Sequence, residues 1–152
     1  MAYCTFAGHR NIFMADADKK IEKAIEGFVQ ADESITFYIG GMGEFDSKCS
    51  TAVRAAKHRH PSKIIRLVLV LPYMTNRLNT DKIYYETYYD DVMIPMELCG
   101  VHPKAAIQKR NRWMVDQSDC LIACVHRDFG GAYDTLKYAI RKGITVINLA
   151  EQ

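Results

Sequence analysis

The sequence lacks long apolar runs, blocks of like charge and cysteine pairs at metal-site spacing. No apolar stretch approaches the roughly 20 residues that a helix needs to cross a bilayer, and the first residues have the pattern of a strand, not of a signal peptide. We therefore expect a cytoplasmic protein that does not bind membranes. The net charge is only +2 and no basic, aromatic-lined groove is evident, so we expect no nucleic-acid partner.

The five cysteines do not have the spacing of a metal site. Cys4, Cys120 and Cys124 fall in apolar strands, where a cysteine acts as a small hydrophobic residue. Cys120 and Cys124 would stand roughly 13 Å apart along a strand, which is too far for them to share a metal ion. We predict reduced thiols, no metal site and no cofactor.

Apolar strands and amphipathic helices alternate along the chain. Strands are predicted over residues 2–7, 35–39, 64–71, 92–94, 119–125 and 144–149. Helical spacing of apolar residues predicts helices before and after the second strand, from about 103 to 117, and before Gly143. No linker, repeat or low-complexity segment interrupts this pattern. We therefore expect residues 1–152 to form one α/β, Rossmann-like domain, a mostly parallel sheet of about five to six strands with helices on both faces.

Four tyrosines lie at helical spacing in the segment 79–90, which has the pattern of a further helix: Tyr84, Tyr85, Tyr88 and Tyr89. One interpretation is a helix that packs on the sheet with its hydroxyl groups at the rim. The alternative is an aromatic wall for a nucleotide base. The spacing fits both interpretations.

Polar or glycine-rich segments follow three of the predicted strands: Gly8-His9-Arg10, Gly40-Gly41-Met42-Gly43, and the loop that leads from Val125 to Gly130-Gly131. In parallel sheets, ligands bind beyond the carboxyl ends of the strands, where the strand order reverses. Glycines allow a close approach to backbone amides, and a helix N-terminus attracts anions. The three segments together predict a binding site for a phosphate.

The helix over residues 103–117 carries polar residues on its expected inward stripe. The spacing i, i+3, i+4, i+7 aligns Ile107, Arg110, Asn111 and Met114. A buried arginine requires a partner, so either an acidic side chain meets Arg110 or that part of the stripe borders a pocket for an anion. We favour the pocket. The alternative is a stripe rotated to Ala106, Lys109 and Trp113, which would expose Arg110.

These segments resemble the SLOG superfamily, which includes the SMF/DprA and LOG proteins. The resemblance rests on Tyr38-Ile39-Gly40-Gly41-Met42-Gly43, Arg110-Asn111-Arg112-Trp113-Met114 and Gly130-Gly131-Ala132-Tyr133-Asp134-Thr135. It covers nearly the whole chain and is greatest to small, stand-alone bacterial and phage members. It implies a Rossmann-like fold that binds a nucleotide or a nucleotide-derived ligand, and it implies a homodimer or a higher homo-oligomer.

The chain departs from the LOG enzymes, which release a base from a nucleoside monophosphate. In those enzymes an Arg-Lys pair precedes x-x-Met, and Gly-Gly-x-Gly-Thr-x-x-Glu holds the phosphate and supplies a catalytic glutamate. Arg110 matches the arginine, but Asn111 stands at the lysine position. Gly130 and Gly131 match, but one extra residue precedes Thr135. Tyr138 stands at the glutamate position, and a tyrosine cannot replace that carboxylate.

Glu44 and Asp46 are the candidate catalytic carboxylates, because both follow the first glycine turn. Asp46 could instead cap the following helix. Glu44 suits the positive end of that helix but would oppose a phosphate beside it, so a role on ribose hydroxyls fits it better.

We predict a protein that binds or senses a phosphorylated nucleotide, a small molecule. The alternatives are an N-glycosidic hydrolase or transferase acting on nucleoside 5′-monophosphates and, less favoured, DprA-like binding of single-stranded nucleic acid. Tyr73 or Tyr133 could stack on the base. The predicted ligand-binding residues are Gly8, His9, Arg10, Gly40, Gly41, Met42, Gly43, Arg110, Asn111, Gly130, Gly131, Tyr133 and Thr135.

Overall fold

The computed structural model describes residues 1–12 and 14–151. Its strands are β1 (Ala2–Gly8), β2 (Ser34–Ile39), β3 (Ile64–Val70), β4 (Asp91–Met93), β5 (Cys120–Cys124) and β6 (Thr145–Asn148). Its α-helices are α1 (Ala17–Ala31), α2 (Gly43–Arg59), α3 (Arg77–Thr80), α4 (Lys82–Tyr88), α5 (Pro103–Asp116) and α6 (Gly131–Lys142). Short 3-10 helices span Met96–Leu98 and Leu149–Glu151.

The six strands form one sheet in the order β4-β3-β2-β1-β5-β6, and every pairing is parallel. β1 is central: Cys4 is in register with Phe37 of β2 on one side and with Cys120 of β5 on the other. The predicted α/β, Rossmann-like fold is confirmed. The sheet is entirely parallel because a helix or helical segment connects each pair of successive strands.

Helices cover both faces of the sheet, and alternate strand residues point to each face. Cys120, Ile122 and Cys124 of β5 pack into the larger core with α1 and α2. Leu121 and Ala123 pack into a second core with α5 and α6. This alternation explains why the central strands are continuously apolar in the sequence, since both of their faces are buried.

The strand order places the reversal of the chain between β1 and β5. From β1 the chain proceeds outward through β2 and β3 to β4, and then returns to the other side of β1 to add β5 and β6. The carboxyl ends of β1 and β5 lie side by side, with Gly8 in register with Cys124. A crevice at this edge is the expected ligand site of such a sheet.

The tyrosine segment differs from the single helix predicted for it. The chain forms two short helices, α3 and α4, because it leaves helical geometry at Asp81 (φ −113°, ψ 37°). The Asp81 carboxylate accepts a hydrogen bond from Arg77 Nε at 3.0 Å. Tyr85 and Tyr89 pack against the larger core, while Tyr84 and Tyr88 are each 42% exposed.

Within the described part of the chain, no helix combines the length and the apolar character that crossing a membrane requires.

Candidate functional site

A cavity of about 440 Å³ lies at the carboxyl ends of β1 and β5. We call it the first cavity. Its walls are the loop after β1, the inward stripe of α5, the loop after β5 and the start of α6. Nine of the predicted site residues border it: Gly8, His9, Arg10, Met42, Asp46, Arg110, Asn111, Gly131 and Thr135.

The inward stripe of α5 faces this cavity as its spacing indicates. Ile107, Arg110, Asn111 and Met114 all border the cavity. The rotated alternative does not occur, because Arg110 is only 2% exposed and Lys109 is exposed to solvent.

Backbone carbonyl groups hold the Arg110 side chain in place. Arg110 Nη1 donates hydrogen bonds to the Val70 carbonyl at 2.9 Å and to the Gly40 carbonyl at 3.2 Å, and Nε donates to Asn111 Oδ1 at 2.9 Å. Burial lowers the pKa of Arg110, whereas the nearby Asp46 carboxylate opposes that shift. No carboxylate of the described residues forms an ion pair with Arg110 at 4.0 Å or less. Arg110 thus borders the cavity without a carboxylate in ion-pair contact, while the Asp46 carboxylate lies near enough to favour its charged form.

The first glycine turn packs against its own protein. A Cβ atom on Gly40 would lie 2.9 Å from Arg110 Cζ, and one on Gly43 would lie 2.7 Å from Arg10 Cα. Gly41 (φ +70°) and Gly43 (φ +90°) also adopt backbone conformations that favour glycine. The Glu44 N–H donates to the Arg10 carbonyl at 2.8 Å. These contacts and backbone angles explain why glycines stand at these positions, and no bound ligand is needed to explain them.

Asp46 is the carboxylate that the structure brings to the first cavity. Its Oδ2 accepts a hydrogen bond from the Met42 N–H at 3.0 Å, at the start of α2. Burial raises the pKa of Asp46 to about 6, although the Met42 N–H and Arg110 favour the charged form. A carboxyl group with such a pKa can accept or release a proton near neutral pH.

Glu44 lies outside the first cavity. Its Oε1 accepts a hydrogen bond from the Ile12 N–H at 2.9 Å, and it borders a separate depression beside Ile12 and Lys48. Glu44 therefore joins the loop after β1 to α2, and it is not among the residues that border the first cavity.

His9 fixes the position of the loop after β5. His9 is 3% exposed, its Nε2 accepts a hydrogen bond from the His126 N–H at 3.2 Å, and its Nδ1 lies 2.9 Å from Arg127 Nη2. Burial lowers the pKa of His9, and the charges of Arg127 and His126 lower it further. At neutral pH His9 is thus an uncharged support, and the cationic groups that border the cavity are Arg10, Arg110 and Arg127.

The start of α6 is the part of the site best suited to an anion. No side chain caps this helix. In the described part of the chain, the N–H groups of Gly131, Ala132 and Tyr133 have no hydrogen-bond acceptor. Gly130 has φ +96° and ψ 175°, and a Cβ on Gly130 or Gly131 would meet no atom within 4 Å. Free N–H groups at a helix start, next to open space, form a typical anion site.

Tyr133 borders a second cavity, of about 670 Å³, on the other side of the loop after β5. The candidate base-stacking residue Tyr73 and the tyrosines of α4 do not border the first cavity. Thr135 donates from its hydroxyl to the Gly131 carbonyl at 2.8 Å, so it stabilises the first turn of α6.

Sequence reasoning missed Arg127, His126 and Asn11, which all border the first cavity. The sequence signal for them was their position, since His126 and Arg127 directly follow the strand predicted over 119–125 and Asn11 directly follows Arg10. Among the described residues, no group of three or more His, Cys, Asp or Glu side chains could hold a metal ion.

Comparisons with known proteins show a likeness in structure but not in sequence. No family model matches the chain, and no curated protein matches it. DNA processing protein A from Helicobacter pylori, described for its unique single-stranded DNA binding mode, superposes with a TM-score of 0.66 at 13% identity, over 95% of this chain and 63% of its own. DprA from Streptococcus pneumoniae superposes with a TM-score of 0.53 at 14% identity, over 99% of this chain and 59% of its own. TM1055 superposes with a TM-score of 0.60 at 15% identity, over 96% of this chain and 72% of its own.

These likenesses show that the chain shares a Rossmann-like fold with the three proteins. The chain spans about three fifths of the length of the two DprA chains.

The expectation that nucleic acid is excluded as a partner is wrong. A protein with the same fold, the H. pylori DNA processing protein A, is described as binding single-stranded DNA. The expectation rests on the net charge of +2. Net charge does not report how cations cluster, and here three arginines border one cavity.

Proposed function

We propose that this chain is an SLOG-like domain that binds a nucleotide or nucleotide-derived phosphorylated ligand in the first cavity. The observation that carries the proposal is the meeting of the uncapped start of α6 with three arginines, Arg10, Arg110 and Arg127, around that one cavity. Free N–H groups, the helix dipole and guanidinium groups all favour the same anion.

The remaining walls suit the sugar and base of a nucleotide. The volume of about 440 Å³ falls within the usual range for small-molecule sites. Phe6, Ile107 and Met114 supply apolar surface, while Asp46 and Asn111 supply polar groups at the same edge. Asp46 Oδ2 is engaged by the Met42 N–H, and the carboxylate retains acceptor capacity for a hydroxyl or amine donor.

Thermal-shift measurements with nucleoside mono- and diphosphates test this proposal. A ligand at about 100 times its Kd adds about 2.7 kcal/mol of stability, which for a chain of 152 residues raises Tm by roughly 5–10 °C. The shift should be lost in Arg110→Ala.

Because Arg110 is buried and hydrogen-bonded, a second variant separates binding from stability. Gly131→Asp places a carboxylate in the first turn of α6, where it suits the helix dipole but repels a bound phosphate. We expect a folded protein with no nucleotide shift. Ala105→Asp adds the same charge to the first turn of α5, away from the first cavity, and should keep the shift. Absence of a shift with every nucleotide, or an unchanged shift in Gly131→Asp, would overturn the proposal.

Asp46 supports a second candidate, N-glycosidic hydrolysis of a nucleoside 5′-monophosphate. It is the one carboxylate among the described residues that border the first cavity, and its pKa of about 6 suits a general base. Asp46 would take a proton from water, and the water oxygen would bond to C1′ as the C1′–N bond breaks. The departing base would take up a proton from solvent, and Asp46 would return its own proton to solvent, so that the net reaction adds one water. Release of free base that is abolished by Asp46→Asn supports this candidate, and nucleotides that are bound but unchanged rule it out.

Single-stranded DNA is an alternative occupant of the same arginines, because a protein of this fold is described as binding it. The same Gly131→Asp and Ala105→Asp pair tests it with a labelled oligonucleotide. Loss of oligonucleotide affinity in Gly131→Asp alone supports binding at the first cavity.

A further inference from the structure

The second cavity adjoins the first and shares two residues with it. His126 and Arg127 border both cavities. The second cavity, of about 670 Å³, continues past Phe129 and Tyr133 toward the end of β6. A ligand whose phosphate lies at the start of α6 therefore has open space on both sides of the loop after β5.

Phe129 offers an exposed aromatic face in the second cavity. It is 60% exposed, although large apolar side chains are usually buried. The Arg127 guanidinium carbon lies 4.9 Å from the centre of the Phe129 ring, and Arg127 Nη2 is also held by His9. The ring is thus supported by a fixed arginine and remains open to a further flat group. Stacking of bases on such rings is a common mode of nucleotide recognition.

The charges divide the two cavities into different roles. Arg127 lies at the boundary of the two cavities, where its positive charge favours a bound phosphate. The second cavity also contains the carboxylates of Asp128 and Glu151, which oppose a phosphate there but can accept hydrogen bonds from an amine or a hydroxyl. The second cavity therefore suits a base and its sugar.

We propose that the second cavity is a subsite for a second nucleotide unit, whose base stacks on Phe129 while the phosphodiester that joins it to the first unit lies against Arg127. The ligand class is then two nucleotides joined by a phosphodiester, and not a mononucleotide. This rests on the proposed function, because the first unit occupies the first cavity. A free dinucleotide and a segment of single-stranded DNA share this chemistry.

Binding constants for three probes test the subsite: deoxyadenosine 5′-monophosphate, the 5′-phosphorylated dinucleotide pdApdA, and a strand of about twelve deoxyadenosines. The dinucleotide should bind the wild-type protein at least about fivefold more tightly than the mononucleotide, as expected for one added base stack. Phe129→Ala should remove this gain and leave the mononucleotide affinity unchanged. Phe129→Tyr should retain the gain.

Tyr88→Ala is the matched control, because Tyr88 is also an exposed ring with an arginine, Arg54, 5.0 Å from its centre. It lies outside both cavities, so all three affinities should stay at their wild-type values. Tight binding of the strand in addition to the dinucleotide, lost in Phe129→Ala, identifies DNA as the source. Binding of the dinucleotide without the strand identifies a free small molecule.

Two results would overturn the subsite and leave the proposed function intact: equal affinity for the mononucleotide and the dinucleotide, or an equal loss of affinity for both in Phe129→Ala. If the wild-type protein binds none of the three probes, the proposed function fails together with the subsite.

Discussion

Gly40 and Arg110 depend on each other although they stand 70 positions apart. The Gly40 carbonyl accepts a hydrogen bond from Arg110, and the missing side chain of Gly40 leaves the space in which the guanidinium lies. The reason for this glycine is therefore the arginine. A glycine motif in a sequence indicates that something comes close to the backbone, and here that group belongs to the protein itself.

We predict that Gly40→Ala lowers the free energy of unfolding by about 1–3 kcal/mol, because the new Cβ would lie 2.9 Å from Arg110 Cζ and displace a hydrogen-bonded side chain. Gly27→Ala is the control. Its Cβ would meet nothing within 4 Å in the interior of α1, so that variant should gain about 0.5–1 kcal/mol. Urea unfolding measures both. Equal effects of the two substitutions would refute the role assigned to Gly40.

Asp46 makes stability depend on pH in a direction unusual for a carboxylate. Its pKa is about 6 in the folded protein against an ordinary value of 3.8, so between these values the folded state holds more protons than the unfolded state. The free energy of unfolding attributable to Asp46 therefore falls as pH rises from about 4 to about 6, by an amount on the order of 2 kcal/mol.

Asp46→Asn cannot titrate but keeps an acceptor for the Met42 N–H. We predict that the stability difference between wild type and Asp46→Asn shifts in favour of the variant as pH rises from about 4 to 7. Urea unfolding of both proteins at several pH values measures this difference. A difference that is independent of pH would show that the environment of the Asp46 carboxyl does not raise its pKa.

At the scale of secondary structure, the two helix starts near the site have different roles. The start of α2 is occupied by its own protein, since the Glu44 N–H donates to the Arg10 carbonyl and the Asp46 carboxylate binds the Met42 N–H. The start of α6 has neither kind of partner among the described residues. A glycine pair lies at or just before each helix start, so the glycines alone do not distinguish the two starts.

The turn into α6 provides a prediction from backbone geometry. Gly130 has φ +96° and ψ 175°, a region that side chains of L-residues disfavour even in open space. We predict that Gly130→Ala lowers the free energy of unfolding by about 1–3 kcal/mol. Gly131→Ala, at the next position and outside that region, should leave stability unchanged or raise it by up to about 1 kcal/mol. Thermal and urea unfolding compare the two, and a neutral Gly130→Ala would contradict the backbone geometry of this turn.

For the whole molecule, the distribution of charge matters more than its sum. The net charge is +2, but Arg10, Arg110 and Arg127 meet at one edge of the sheet. The strand order brings the loops that carry Arg10 and Arg127 together, and α5 adds Arg110. The wrong expectation about nucleic acid arose here, because the net charge of the chain does not say where its charged side chains lie.

The salt dependence of oligonucleotide binding tests whether Arg10, Arg110 and Arg127 supply the phosphate contacts. If an oligonucleotide binds through these three arginines, log K should fall with log salt concentration with a slope of about −2. Titrations at several salt concentrations measure the slope. A slope steeper than about −4 would require many more phosphate contacts and would indicate a binding surface spread beyond the first cavity.

The sequence by itself determined the local structure. The spacing of apolar residues predicts the strands, their alternation with helices and the resulting parallel sheet. It does so because the buried face of a helix or a strand must carry apolar residues at the period of that element. The same spacing identified the stripe of α5 with Arg110 on its inward face. The segment of α3 and α4 was predicted less well, because its break at Asp81 depends on local contacts that the helical spacing of the tyrosines does not reveal.

The tertiary structure decided which of these residues meet. Only the strand order places the loops after β1 and β5 beside each other and adds Arg127 to the site. Only the folded chain shows that Asp46 borders the first cavity while Glu44, two residues earlier, binds the Ile12 N–H outside it. These are contacts between distant segments, and the periodicity of a single segment carries no information about its partners.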